Sequence, residues 1–571
     1  MNKVSDPHDD LSVLRHSVAH LLAHAVVELF PGTKLTIGPA TPDGFFYDFL
    51  PPQNFKEEDL PLIEARMRIL AKKNLPITHE EISKEDARKL YKDNPFKLEL
   101  IDGIEGDTVG ISIQGDFKDL CRGGHVASTG KLNHFKLHGI SGSYWRGDKN
   151  NPALQRISGA AFHTKKELDE YEHRREEAAK YDHRKVGKQL DYFSFSEAGP
   201  GFPFFHPKGQ QVLNILKDYM RSIHKTHNFQ EVSTPTMLSA DLWHQSGHDQ
   251  YYKDDMYFST VSDNTYALKP MNCPGAFLIY NTRPRSYREL PLKLAEFGHV
   301  HRHELSGVLH GLMRVRAFTI DDTHIFCTLE QLQEEIEGLL TLISTVFEKC
   351  DFTNVKFALA TKPDKAMGSD AIWKQATDAL ETALKRKKIP YTIKPKEGAF
   401  YGPKIEVDVT DSLGRIWTCG TVQVDFLQPE NFDLSYIAPS GKKERPVVIH
   451  TATYGSLERF FAVLLEHFKG LLPFWLAPVQ ARILTITERN KPYAQEVYER
   501  LKTHGFRVEI DSTGDPLSGQ IKRAQEDKVP VMFIIGDKEM ANKTVTIRHH
   551  NGKQEFGIPY DSLIEKCSTL D

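Results

Sequence analysis

The sequence predicts a multidomain chain of mixed class, α+β in its first parts and α/β in its last. Three observations carry this. At 571 residues the chain is too long for one hydrophobic core, and about three domains is the expectation. From Pro291 to Cys327 a long strand–loop–strand pattern reads as a hairpin. From Ala481 onward, apolar strand patterns alternate with helical ones, as in a small and mostly parallel sheet with helical crossovers.

Bulk composition narrows the class. With 40% hydrophobic and 26% charged residues the chain reads as globular. No apolar run is long enough to span a bilayer, and the opening MNKVSDPHDD lacks a signal peptide's pattern. The six scattered cysteines argue against a disulfide framework and fit a reducing, cytoplasmic setting. A net charge of −4 means that any polyanion must meet a local basic face.

Taken in order, Leu11 to Phe30 reads as an amphipathic helix stopped by Pro31-Gly32. It sets His16, His20 and His24 one turn apart on one face. Gly44 to Phe49 reads as a strand and brings Tyr47, and Phe55 to Lys73 as a charged helix. FKDLCRGGH then adds Cys121 and His125. His16, His20, Cys121 and His125 are ligand chemistry of the kind zinc takes. They equally suit a hydrolytic site in which imidazoles position and deprotonate water. The two pairs also have the bland reading, that they never meet. Thr164 to Leu190 is a solvated connector helix, and its Arg174, Arg175, Arg184, Lys185 and Lys188 read as a charged face. A boundary near Tyr181 and another in LLPFWLAPVQ divide the chain into 1–180, 181–473 and 474–571.

In the middle, Gln210 to Phe229 is helical, and EVSTPTML is extended with Pro235 at an edge or interface position. GHDQYYKDDMY reads as loop. YALKPMNCPG places Cys273 at a strand end before a helix. The hairpin follows, with Arg302 on one arm and Arg314 and Arg316 on the other. Glu330 to Phe347 is helical, and GAFYGPKIE to CGTVQVDF forms two strands around a turn. RPVVIHTAT is a short buried strand ending at His450, and GSLERF opens a helix with Ser456 as N-cap and Arg459 in its first turn. The tail runs strand, helix, strand, helix, strand, strand from ARILTIT to TVTIRHH.

HSVAHLL, DLCRGGH, YWRGD, QRISG, KPMNCPG, HRHELSGVLHGLMRVR, DDTHIFC, GAFYGPKIE, CGTVQVDF and GSLERF stand in this order along nearly the whole chain. Together they resemble the threonyl-tRNA synthetases, a family of class II aminoacyl-tRNA synthetases. The resemblance implies an N-terminal editing domain, a catalytic domain built on an antiparallel sheet, and an anticodon-binding tail. It implies that Cys273, His324 and His450 hold one zinc ion per subunit and leave a position open for threonine. Met271, Asp322 and Tyr401 would hold the amino acid. Arg302 would grip the α-phosphate, Glu304 the adenine amino group and Phe318 the base. Arg314 and Arg459 would meet the γ-phosphate, with Lys404 and Gln423 lining the pocket. ATP would enter with magnesium, which fits the absence of a GxxxxGK[ST] loop. Arg302, Lys404 and Arg459 would carry the phosphoryl chemistry.

The resemblance assigns His16, His20, Tyr47, Asp119, Cys121 and His125 to an editing site that hydrolyses seryl-tRNA, through a positioned water and without a metal. Glu539 and Arg548 match positions that read anticodon bases. Threonine, ATP and the threonine tRNA are the implied partners, in a homodimer, with no DNA or membrane. The family usually begins with a ubiquitin-like domain, and because this sequence opens almost at the editing helix, the resemblance leads to the expectation of a chain without it. Ile320 and Thr418 replace glutamines common in the family, and DSTGDPLSGQIK departs from its charged pattern between Ser512 and Leu517. Two other readings compete: an amino-acid-activating paralogue that serves another carrier, and a non-catalytic RNA-binding regulator. The intact editing and anticodon segments disfavour the first. The unbroken arginine and zinc sets disfavour the second.

Overall fold

The computed structural model describes residues 10–42, 44–148, 150–353, 355–410 and 415–570, with Tyr251 by its backbone alone. The chain divides into two compact units, Met1–Glu176 and Glu177–Asp571.

In the first unit, helix α1 (Asp10–Leu29) is buried almost without interruption from Leu14 to Val26. A helix buried on all sides belongs to a core, so the amphipathic helix expected from sequence proves to be a central one. It ends because Pro31 cannot extend it and Gly32 turns the chain at φ 89°. Around it stand strands β1 (Gly44–Leu50), β2 (Phe117–Leu120), β3 (His134–Tyr144) and β4 (Ala153–Phe162). β4 pairs antiparallel with both β1 and β3. β2 closes a separate three-stranded sheet with Ile77–Ser83 and Thr108–Gln114.

The connector differs from expectation. It is two helices, Lys165–Lys180 and α2 (His183–Gln189), and Asp182 caps the second by accepting the Arg184 N–H. The surrounding run of charge hides that cap. EVSTPTML is likewise not one extended segment: Gln230–Glu231 and Met237–Ser239 are strands, and Pro235 lies between them. GHDQYYKDDMY is not all loop, because His248–Tyr252 is a short helix.

The second unit is organised by an eight-stranded sheet. Helix α3 (Cys273–Tyr280) precedes β5 (Leu292–His301) and β6 (Ala317–Cys327), and then come β7 (Lys404–Thr410), β8 (Ile416–Asp425) and β9 (Val447–Ser456). From the edge the order is Gln230–Glu231, β5, β6, β9, β8, β7, Lys356–Ala360 and Tyr391–Lys394. All neighbouring pairs from β5 to Lys356–Ala360 are antiparallel. One face packs Ile325, Ile405, Val422, Val424 and Ile449 into the main core, together with α4 (Leu457–His467). The opposite face carries the polar residues described below, the alternation that a strand's period of two requires. β9 runs on to Ser456, so His450 is its fourth residue and not its end.

The tail forms a five-stranded sheet ordered β11 (Val508–Ile510), β10 (Ala481–Thr485), β12 (Val531–Ile535), β13 (Thr544–His549) and β14 (Gln554–Pro559). Its first three members are parallel, whereas β13 and β14 are antiparallel. The expectation of a mostly parallel sheet missed β14.

Candidate functional site

Strand register assembles the site in the second unit. Lys404 lies opposite Gln423, Gln423 opposite His450, and His450 opposite His324. Cross-strand partners project to the same face, so four distant residues form one row. Two residues along, Asp322, Ala452 and Thr421 form a second row, and Ile320 and Phe318 continue β6. Apart from His324, these residues wall a cavity of about 670 Å3 that also takes in Met271, Cys273, Arg302, Tyr401 and Arg459.

At one end Cys273, His324 and His450 are buried, and their ligand atoms lie within 4.8 Å of one another. Cys273 arrives at the start of α3, where Pro274 suits the first turn. His324 Nε2 and His450 Nδ1 are buried without a hydrogen-bond partner. His450 Nε2 lies 2.9 Å from Asp425 Oδ2. A carboxylate behind a ligating imidazole fixes its tautomer and raises its basicity. Burial pushes the His324 imidazole down to about 4, so it is neutral with a free lone pair at neutral pH. One thiol and two bare imidazole nitrogens are a donor set that zinc fits. Asp322 stands beside them, and Asn272 Nδ2 donates to it at 3.1 Å. Burial raises the Asp322 carboxyl to about 6.

The other end is cationic. The Arg302 guanidinium packs over the Phe318 ring at 5.2 Å, and its Nε donates to the Pro270 carbonyl. Arg459 donates from Nε to Met313 O at 3.0 Å and from Nη1 to Thr418 O at 3.1 Å. Ser456 caps α4 by accepting the Arg459 N–H. Glu304 pairs with Arg314 at 2.9 Å. The strands stop at His301 and restart at Ala317, so Arg302, Arg314 and Arg316 sit in the connection and not on the arms. The two chain ends are clasped where Arg302 N–H bonds Arg316 O. Lys404 Nζ lies 2.7 Å from Glu406, and Gln423 donates to Gly402 O.

In the first unit the two ligand pairs do meet. His16 Nε2 and His125 Nε2 each lie 3.1 Å from Cys121 Sγ. Ser17 Oγ donates to Val13 O and so must accept from His125 Nδ1. Gly38 O, 3.1 Å from His16 Nδ1, accepts likewise. Both Nε2 atoms therefore present lone pairs. Burial holds His16 and His125 below their ordinary value, His125 at about 2, and His20 well below it. Burial raises the Cys121 thiol to about 11. Ligand atoms of His16, His20, Cys121 and His125 lie within 4.8 Å of one another, so they could hold a cation or polarise a water. Tyr47 donates to Asp119 at 2.6 Å, and His20 Nδ1 stands 3.6 Å from the same carboxylate. His24 is not in this cluster, because it meets Gln114 at 2.8 Å and stacks on Phe117.

Residues 257–468 match the tRNA synthetase class II core domain (G, H, P, S and T). Residues 480–570 match an anticodon binding domain, and 110–158 the second additional domain of threonyl and alanyl tRNA synthetases. The threonine–tRNA ligase of Thermotoga maritima is 49% identical over 555 residues, covering 96% of this chain and 87% of that protein. The chain belongs to the threonine–tRNA ligases. The ligase of Carboxydothermus hydrogenoformans is 48% identical over 97% of this chain and 88% of its own length. Among solved structures, the RNA binding domain of threonyl-tRNA synthetase from Cryptosporidium parvum is 41% identical at a TM-score of 0.66, covering 68% of this chain and 98% of that one. A Giardia lamblia prolyl-tRNA synthetase, at 17% identity and a TM-score of 0.55, shares the fold.

Within this threonine–tRNA ligase, three residues near the sites escaped sequence reasoning. Lys97 is buried with its Nζ 2.5 Å from Asp119 and 3.3 Å from the Tyr47 hydroxyl. His248 is buried with Nε2 3.0 Å from Met271 Sδ and its ring beside Phe400 and Tyr401. Asp425 backs His450. Lys97 and His248 stand in segments that no local pattern marks, whereas Asp425 lies inside the CGTVQVDF motif, the one signal available. Of the departures, Ile320 faces the cavity, and Thr418 turns its hydroxyl to Asp408 at 2.6 Å.

In the tail, Glu539 already accepts from the Gly536 N–H and the Thr546 hydroxyl. Arg548 is on the same side of β13 as Thr546, with its Nε buried and unpartnered. Around the altered segment Ser512 to Leu517, Asp511 just before it and Asp515 within it both pair with Arg523 of the helix that follows.

Proposed function

We propose that this ligase activates threonine with ATP in the second unit, transfers it to tRNA, and clears seryl-tRNA at the histidine–cysteine cluster of the first. The observation that carries this is the row Lys404–Gln423–His450–His324, which joins a thiol–imidazole donor set to an arginine-lined cavity. Cys273, His324 and His450 would hold a zinc ion, which supplies a Lewis acid able to take the substrate's amine and hydroxyl together. Valine offers no hydroxyl, and a polar site rejects such an analogue by a factor on the order of 10^4. Met271, Asp322 and Tyr401 frame the amino acid. ATP enters as its magnesium complex, with Glu304 and Phe318 at the base and Arg314 and Arg459 at the distal phosphate.

The amino-acid carboxylate attacks the α-phosphorus, and the bond to pyrophosphate breaks. Negative charge on the phosphate oxygens is met by Arg302, Lys404 and Arg459, fixed donors that need no proton transfer. A tRNA hydroxyl then takes the acyl group and AMP leaves. Serine lacks only a methyl, worth about 1–3 kcal/mol of discrimination, so a second site is required. There one of His16, His20 and His125, all neutral at pH 7, takes a proton from the water that attacks the ester carbonyl; the acyl–oxygen bond then breaks, and the tRNA hydroxyl leaves with that proton as serine is released. Lys97, Tyr47 and Asp119 orient the cluster. Glu539 and Arg548 belong to the anticodon surface. The segments 1–180, 181–473 and 474–571 are the working domains of a cytoplasmic homodimer.

Pyrophosphate exchange with threonine, serine or valine tests the synthetic half. Threonine and serine should support exchange and valine should not. Cys273→Ala should lose both its zinc and the exchange. Full exchange from a zinc-free Cys273→Ala protein would sink the reading.

A further inference from the structure

Outside both sites, Asp182, His183 and Glu466 bring ligand-type atoms within 4.8 Å of one another. Their hydrogen bonds assign them another role. His183 is fully buried. Its Nε2 lies 3.1 Å from the Leu312 amide, which can only donate. That nitrogen is therefore the acceptor, and Nδ1 carries the proton. Nδ1 lies 2.8 Å from Glu466 Oε1, and the same oxygen takes the His183 amide at 3.3 Å. Both imidazole nitrogens are committed, so this is a hydrogen-bond relay.

The relay ends at the ATP-binding connection. Leu312 and Met313 are buried, and Gly311 turns the chain there at φ 49°. A Cβ on Gly311 would come within 2.1 Å of His183 Nε2, so the turn is moulded on the imidazole. Glu466 lies seven residues, two turns, beyond Arg459 on α4. Arg459 holds Met313 O directly, and Glu466 holds Leu312 N–H through His183. One helix thus grips one short turn at two successive residues, next to Arg314. A relay in which every member is satisfied fixes a conformation, and a broken one leaves a buried N–H unpaired.

We infer that His183 is a positioning residue for adenylate formation: it transmits the placement of α4 to the 310–314 turn, so that Arg314 and Arg459 meet ATP in register. This rests on the proposed ATP pocket. It predicts a selective defect. In the full-length protein, normalised to active sites by the adenylate burst, His183→Leu should raise the KM for ATP about tenfold or more. Threonine KM, zinc content and seryl-tRNA hydrolysis should stay within about twofold. His183→Gln, which keeps one donor and one acceptor, should restore most of the ATP affinity. A purely structural role would lower the active fraction and leave the ATP KM of the surviving sites unchanged, and that result would overturn the inference. So would equal defects in His183→Leu and His183→Gln. If His183→Leu does not fold, Gly311→Ala, which drives the imidazole off Leu312, must show the same ATP-selective loss, and an unchanged ATP KM there refutes it. Arg459→Ala separates the two levels. Normal ATP use in that variant overturns the pocket itself, whereas loss there with a normal His183→Leu overturns only the relay.

Discussion

Asp425 touches no substrate in this account, yet it governs the donor set through His450. Asp425→Asn should weaken zinc binding about 10- to 100-fold in competition with a chelator. Unchanged affinity would mean that the carboxylate is only structural. Arg314 makes a contrasting case. Its ion pair with Glu304 is half exposed on the arginine side, and such pairs stabilise a fold by only about 0.2–1 kcal/mol. Arg314→Ala should therefore leave thermal stability nearly unchanged while ATP affinity falls about tenfold, read by a melt and by pyrophosphate exchange on one sample. A large drop in stability would assign the arginine to the fold. At this scale the sequence was legible where a motif surrounds the residue, as for Cys273 in KPMNCPG and His324 in DDTHIFC. It was silent for Lys97, which acts through burial against Asp119 and Tyr47 from a helix with no marked pattern.

Helix α1 shows what periodicity can and cannot tell. Spacing put His16 and His20 on one face, and the structure gathers them with Cys121 and His125. The same spacing implied His24, which the fold turns to Gln114 and Phe117 instead. Burial of α1 has a pH consequence. His16, His20 and His125 have folded values below their unfolded 6.5, so the unfolded chain binds protons that the folded chain refuses. Stability is then full above about pH 6.5 and falls on acidification, as the unfolded chain gains protons that the folded one does not take. Urea titrations between pH 7 and pH 5 should show this loss, and His125→Gln should make it shallower. Parallel loss in both proteins would contradict the assignment. The β5–β6 connection illustrates the opposite limit. The alternation in RVRAF reads as strand, but Gly311 and the His310–Arg314 bridge turn the chain before β6 begins. Backbone bonds, which carry no sequence period, decide that end.

For the whole molecule, chemistry is divided between two compact units, and the net charge of −4 leaves tRNA to local surfaces. Motif order set the histidine–cysteine pairs and the arginine-bearing hairpin in separate stretches of the chain. The strand order that joins residues 324, 404, 423 and 450 was not readable, because register is a property of distant pairs. No helix among the described residues is long and apolar enough to cross a membrane. The division itself can be tested in one experiment: purified zinc-loaded protein, ATP, threonine tRNA and either threonine or serine, with aminoacyl-tRNA followed over time beside His20→Ala. Stable threonyl-tRNA is expected from both proteins, with seryl-tRNA transient in the native protein and persistent in His20→Ala. Seryl-tRNA that persists equally in both would contradict a hydrolytic site in the first unit, and failure to charge threonine would contradict the synthetic site in the second.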